Sequence, residues 1–496
     1  GFLPQNATVG EGREIFAWLI ALFAILSIAL SFLRKEWLYL FLTAVYSFIL
    51  YYTATRGAIL GFIGGVLLAA LLLAFFEKED RGLKRISWVT IIAVLVLILG
   101  FISVREADFV KNSPVLNRFA TISLNETKTQ ARAYVWPMAI AGFKERPILG
   151  WGQESFNYVF NKYYNPAMYN HETWFDRTHN VFLDWLIAGG ILGLLGYLSL
   201  YILGIWALWK KTNFTFPERA VLTGLFAAYI FHNFFVFDNL ISYILFVVLL
   251  SYIHASSGRE FPNWLSALTR PLTNLRFAGI SIASVVIIVA TVYGVYSMNV
   301  KAIASNKTLI TAIDNRTNVN PSERLEKFKT AINYNAFGGQ EIREQLFQAA
   351  MVVLSASSIS AQDKEAFFQY AKAQFEEMIK EAPNDARHYL FFGILLNTHG
   401  NYEEGLRMLQ KAQELSPKKQ AILFEVARIY LIGGNKDMAL QIFKQALDLA
   451  PGYVDARINY ATAAIYAGRG DIANQTLIEG FGTTAYPNEQ LLRVYY

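Results

Sequence analysis

Apolar residues in the first 300 positions come in long unbroken blocks, not in the alternation of a strand or the one-sided spacing of a surface helix. Eight blocks reach the roughly 17–25 residues that a helix needs to cross a bilayer: 15–33, 37–53, 57–76, 86–104, 180–209, 220–237, 240–256 and 277–297. Lipid offers the backbone no water to bond, so each block is predicted to be a helix. Beyond residue 297 charges become frequent and apolar residues take a helical spacing. Pro383, Pro417 and Pro451 are 34 residues apart, and Gly400, Gly434 and Gly468 keep the same step. So do Gly393, Ala427 and Ala461, and Gly405, Ala439 and Ala473. The small residues let paired helices approach, Gly permits a left-handed turn, and Pro stops the second helix of each unit.

A 34-residue helix-turn-helix unit of this kind resembles the tetratricopeptide repeat. Three units run from about 384 to 484, and 321–382 reads as one or two degenerate units that cap them. The predicted fold is all-α: a polytopic membrane helix bundle over 1–297, with a long outer loop at 105–178, followed by an α-solenoid. Residues 298–383 are read as linker and degenerate repeats, and 384–496 as the repeats proper. A stacked array presents a curved surface that binds a protein partner, or else it serves to position the membrane part.

Charge supplies the orientation. Arg34, Lys35, Lys78, Arg81, Lys84, Arg85, Lys210, Lys211, Arg219, Arg259, Arg270 and Arg276 all fall in loops on one side, while the opposite short loops carry only Arg56. The basic side is expected to be cytoplasmic, which puts Arg56, the loop 105–178 and everything after 297 outside. The net charge of +6 thus follows the loops and is no nucleic-acid footprint. Charged residues make up 17% of the chain, below the ~25% of soluble proteins, as a membrane protein requires. The absence of cysteine excludes disulfides, thiolate metal sites and cysteine nucleophiles. The chain begins with Gly1 and no signal-type segment precedes the first block, so earlier spans are expected to be missing.

Groups capable of chemistry collect at the predicted outer ends of the spans. Thr55-Arg56-Gly57 opens one span, and an arginine at a helix N-terminus suits an anion; the plainer reading is an arginine reaching lipid headgroups. Arg132 and Trp136 are four apart, on one face if the segment is a helix. The run Pro147-Ile148-Leu149-Gly150-Trp151-Gly152 reads as a tight turn that leaves Gln153, Glu154 and Ser155 exposed. His179 follows Asp176 and Arg177 and opens an apolar helix; its neutral imidazole can take a proton from an attacking hydroxyl, or it can simply cap the helix. His171 is a second candidate for the base. His232, Asn233, Asp238 and Asn239 place polar groups near the outer end of another span, where they act in function or bond helix to helix. There is no Gly-rich nucleotide loop, His-Glu-x-x-His or G-x-S-x-G elbow, and no tight acidic cluster suggests a metal site on the outer face. Nucleotide sugars and ATP are also lacking there, so an outer enzyme needs a pre-activated donor.

The runs Thr55-Arg56-Gly57, Arg132-Ala133-Tyr134-Val135-Trp136, Pro147 to Gly152 and Asp176-Arg177-Thr178-His179-Asn180 through Gly189-Gly190-Ile191-Leu192-Gly193 resemble the O-antigen ligase/polymerase family. The resemblance covers roughly 15–256. It implies a multi-span glycosyltransferase of the bacterial cytoplasmic membrane that moves a glycan from undecaprenyl diphosphate to an acceptor hydroxyl outside, with no cofactor and no metal. It implies Arg56 and Arg132 as diphosphate ligands and His179 as the catalytic base; Arg177 is expected to assist at the diphosphate, and Asp176, Asn180, His232 and Asp238 are accessory candidates. Family acceptors include lipid A-core, a growing glycan and protein Ser/Thr, so ligase, polymerase and protein O-oligosaccharyltransferase all stay open. A membrane transporter or a repeat-bearing scaffold is the reading of another class. Family members usually have more than eight spans and often carry outer tetratricopeptide repeats.

Overall fold

The computed structural model describes residues 35–122, 130–237, 239–257, 277–314, 320–484 and 487–491. The block 15–33 and Asp238 lie outside the described residues. Among those described, every regular element is helical. The first part comprises α1 (Lys35–Tyr52), α2 (Arg56–Phe76), α3 (Arg81–Val104), the short α4 (Asp108–Lys111) and α5 (Leu116–Ala120), α6 (Ala131–Glu145), α7 (Phe156–Lys162), α8 (Val181–Lys210), α9 (Phe216–Asn233) and α10 (Leu240–Ala255). α11 (Phe277–Val295) continues through a π-helical turn into α12 (Lys301–Ile313). Four described stretches are long and apolar enough to span a membrane: Arg56–Phe76, Arg81–Val104, Val181–Lys210 and Ser284–Ile313. Phe41–Tyr52 and Leu240–Ala255 are shorter apolar helices. The expected block 220–237 is shifted: a capping box at Thr215 and Glu218 starts α9 at Phe216, and the helix ends at Asn233.

Among the described residues, 35–122 with 205–237 form one compact unit, and 130–204 with those from 239 onward another. In the first, α2 runs antiparallel to α9 along a seam of small residues. Gly57, Gly61 and Gly65 recur every four residues and so share one face of α2. A methyl group at Gly61 would meet Ala228 O at 2.7 Å, and one at Gly65 would meet Gly224 O at 2.4 Å. The two backbones therefore touch, which is how helices hold together where lipid supplies no hydrophobic drive. Ala70 and Ala74 pack on Ile91 of α3. The outer face of α3 leaves Leu97 71% exposed, an apolar surface suited to lipid tails.

In the second unit, α8 is broken at Gly190, whose φ of 61° and ψ of −157° no helix contains. The turn 147–152 enters the break. Trp151 N donates to Ile187 O (2.7 Å), Gly152 N to Ala188 O (3.0 Å), and Ile191 N to Pro147 O (2.8 Å). The carbonyls and amide that the break frees are thus paired by backbone of another segment, as apolar surroundings demand. A methyl at Gly150 would meet Ile187 O at 2.3 Å, and one at Gly190 would meet Ile148 O at 2.3 Å, so glycine is required on both sides.

The repeats follow as helix pairs: α12 with α13 (Pro321–Asn333), α14 (Gly339–Ser355) with α15 (Ala361–Glu381), α16 (Ala386–His399) with α17 (Tyr402–Leu415), α18 (Gln420–Ile432) with α19 (Lys436–Leu449), and α20 (Val454–Tyr466) with α21 (Gly470–Phe481). Gly400, Gly434 and Gly468 all have positive φ in the turns within pairs, as the period predicts. Two apolar cores run through the stack, one from Leu309 to Leu396 and one from Ala386 to Leu491.

Gly190→Ala is expected to destabilise the fold by more than about 1–3 kcal/mol, the usual cost of a strained backbone, because its methyl also clashes with Ile148. Gly189→Ala, with nothing within 4 Å, serves as the neutral control. Thermal unfolding of both variants in detergent measures the difference; equal midpoints would refute the splice.

Candidate functional site

His179 sits in a turn that the sequence around it holds in a strained shape. Its φ is 55°, a left-handed conformation uncommon outside glycine. Thr178 and Asn180 on either side are buried and brace it. Asn180 caps α8, its Oδ1 accepting from Phe182 N (3.0 Å) and Leu183 N (3.1 Å). The cap is thus Asn180 and not His179. Asp184, one turn into α8, reaches back: its Oδ1 accepts from Thr178 N at 2.8 Å and lies 2.8 Å from the Thr178 hydroxyl. Phe175 packs its ring edge-on to the imidazole at 5.7 Å between centroids.

α6 presents the second half of the site. The spacing of Arg132 and Trp136 indeed puts both on one helix, and Trp136 Nε1 donates to Thr178 O at 3.1 Å. One turn of α6 is thereby pinned to the residue before His179, with Arg132 one turn earlier. Arg132, Trp136, Ile140 and Lys144 line an open groove of about 610 Å³, basic at both ends and apolar between. Burial pushes the His179 imidazole below its ordinary pKa, and the Arg132 guanidinium pushes it further, against a smaller opposite pull from Glu172. At neutral pH the ring is a neutral base beside a fixed positive charge.

The remaining candidates are distributed as follows. Arg177 is paired with Glu154. Asp176 is exposed. His171 lies against Tyr134, with ring centroids 5.7 Å apart. Ser155, expected to be exposed, is buried, because its hydroxyl turns in to donate to Gln153 O (3.1 Å) at the start of α7. In the other unit, Arg56 is the first residue of α2 and donates from Nη2 to Thr121 Oγ1 at 3.0 Å. A methyl on the adjacent Gly57 would lie 3.8 Å from His232 Nδ1, so the end of α9 comes to the start of α2. His232 Nδ1 is buried with no hydrogen-bond partner among the described residues. No three His, Cys, Asp or Glu side chains are grouped for a metal among the described residues. Thr178 and Asp184 were given no role from the sequence, and Trp136 was placed only by its spacing from Arg132. Asp184 had a signal: an acid four positions into an apolar span must be bonded to something.

The segment 40–198 matches the family model described as O-antigen ligase. Residues 40–198 carry an O-antigen ligase domain. Both halves of the His179 turn, Arg132 and Arg56 fall inside this domain. The domain supports a ligase- or polymerase-type transfer of glycan, with glycan and lipid-linked substrates, in a multi-pass membrane protein. No protein of curated function matches the sequence. Among solved structures, MamA from Desulfovibrio magneticus RS-1 is 15% identical over 37% of this chain and 94% of its own, with a TM-score of 0.29. A thermophilic TPR protein of Thermus thermophilus is 18% identical over 38% and 97%, with a TM-score of 0.27. Yeast Tom70 is 13% identical over 89% and 79%, with a TM-score of 0.26.

Arg132→Gln is expected to raise the His179 pKa towards the ordinary imidazole value of about 6.5, without reaching it, because the burial remains. Histidine NMR titration reads the shift, with His179→Gly to assign the signal among the six histidines. An unmoved titration would show that the two groups are not coupled.

Proposed function

We propose that the O-antigen ligase domain transfers a glycan from undecaprenyl diphosphate to an acceptor hydroxyl, with His179 as base and Arg132 and Arg56 as diphosphate ligands. The observation that carries this reading is the pinning of Arg132 and His179 to one turn through the Trp136–Thr178 hydrogen bond. A neutral imidazole accepts the acceptor O–H proton as the oxygen attacks the anomeric carbon. The bond from that carbon to the diphosphate oxygen breaks, and its electron pair leaves with undecaprenyl diphosphate. Arginine can meet the departing charge with forked, charge-assisted hydrogen bonds, a role that many phosphate-handling enzymes give to a metal. The proton on the imidazolium passes to solvent before the next turnover.

The lowered pKa of His179 supports a base that works at neutral pH. The groove along α6, apolar between Arg132 and Lys144, supports a ligand with both charge and hydrocarbon. The location is proposed to be the bacterial inner membrane, with site and repeats both on its outer side. The basic loops on the other side support this. So does the direct contact of the loop before His179 with the repeats, which requires both to face one compartment.

The test is turnover of the full chain in lipid, with undecaprenyl-diphosphate-linked glycan, candidate acceptors, and EDTA present or absent. Undecaprenyl diphosphate is expected to be released in either case. Arg132→Ala and Arg56→Ala are each expected to lower the rate by about 10²–10³, the usual loss for one contact to developing charge. His179→Gly is expected to be inactive while folding at least as well as the native chain, since glycine accepts the φ of 55° without strain. Release that continues in His179→Gly removes the base assignment; release that needs a divalent ion removes the arginines' sole charge of the leaving group. The labelled product identifies the acceptor.

A further inference from the structure

Three residues at one register of the repeats touch the outer loop, and they are 34 residues apart: Asp385, Lys419 and Tyr453. Each is the N-cap of the first helix of its repeat, α16, α18 and α20. Asp385 accepts from Asn157 Nδ2 at 2.8 Å. Lys419 Nζ donates to Thr173 O at 2.6 Å and stands over the rings of Trp174 (4.0 Å), Tyr164 (4.3 Å) and Phe160 (5.4 Å). The Tyr453 ring is stacked on Tyr169 at 4.6 Å, and the Tyr169 hydroxyl donates to Gly452 O. The period of the array thus meets one folded loop with an acid, a cation and an aromatic ring in order.

Lys419 is the informative member of the set. A cation is the wrong charge for a helix N-terminus, and lysine is almost never fully buried, yet here it is 1% exposed. It makes no cap hydrogen bond that would justify it locally. Burial favours the neutral amine, while three ring faces and a carbonyl favour the ammonium. Its only evident purpose is the loop. From Thr173 and Trp174 the chain runs straight through Phe175, which packs on His179.

We infer that the repeat array is a fixture for the chain's own outer loop, with Asp385, Lys419 and Tyr453 as positioning residues that hold the segment ending in His179. This surface of the array is filled from within, so it is no groove for a separate protein. The consequence for transfer rests on the function proposed above; the docking itself does not.

The chain has no cysteine, so engineered pairs report cleanly. In the full chain in membranes, Asn157→Cys with Asp385→Cys, and Tyr169→Cys with Tyr453→Cys, are each expected to join with a short thiol cross-linker. Failure of both pairs overturns the docking. Lys419→Met is expected to speed hydrogen exchange of the segment 171–182 at least tenfold while the repeat helices keep their native rates. Lys419→Arg is expected to restore protection. Where Lys419→Met also loosens the repeats, Tyr169→Ala, which leaves the array untouched, makes the same measurement from the loop side. Native exchange of 171–182 in these variants overturns the inference even if the cross-links form. In the transfer assay, Lys419→Met is expected to lower kcat at least tenfold with the KM for lipid-linked donor within twofold. A native kcat, with exchange accelerated, overturns the positioning role. If the native chain shows no transfer, the cross-links and exchange still decide the docking, and the failure belongs to the proposed function.

Discussion

A helix broken in apolar surroundings must find partners for every backbone group the break releases, and in this chain the partner is fixed. The turn 147–152 supplies two amides and one carbonyl to the break at Gly190. Because the pairing is backbone to backbone at close approach, it leaves little freedom of register. It therefore fixes the end of α6 against the first half of α8. The second tie, from Asp184 to Thr178, lies within the same half of α8. Everything between the two ties, residues 153 to 177, is a loop closed at both ends before it makes any contact of its own.

That closure explains how a strained histidine can persist. A non-glycine residue at positive φ is maintained only where its neighbours over-determine the turn. Here Thr178 is held by Asp184 and by Trp136, and Asn180 is committed to capping α8. These ties come from the residues on either side of the imidazole. The same bond that braces the turn brings Arg132 alongside, so the shape of the backbone and the electrostatics of the ring have one origin. Burial and the neighbouring guanidinium both hold the imidazole neutral.

Much of this was legible in the sequence, and what was not shares a cause. The apolar blocks, the 34-residue period and the glycine turns are local or periodic signals, and helices at α2, α3, α8 and α16 to α21 follow them. Arg132 and Trp136 on one face followed from spacing once the segment proved to be a helix. The splice did not, because Pro147 to Gly152 and Gly189-Gly190 are separated by some forty residues and neither run names its partner. Gly190 inside an apolar block was a local conflict whose resolution lay elsewhere in the chain. The shift of α9 has a smaller cause: hydropathy marks where lipid begins, whereas Thr215 and Glu218 mark where the helix begins.

Two residues that break local rules, Lys419 and His179, lie along one path. Lys419 opposes the helix dipole and is buried. It contacts Trp174, the next residue Phe175 packs on His179, and His179 is itself in a conformation its own chemistry disfavours. A sequence shaped only for stability would place a serine or aspartate at position 419 and a glycine at 179, as caps and turns elsewhere in the chain do. Two independent violations at the two ends of a continuous run of side-chain contacts are a stronger pointer than either alone. Each has a local remedy that the chain does not use, and each is explained by the geometry of the same loop.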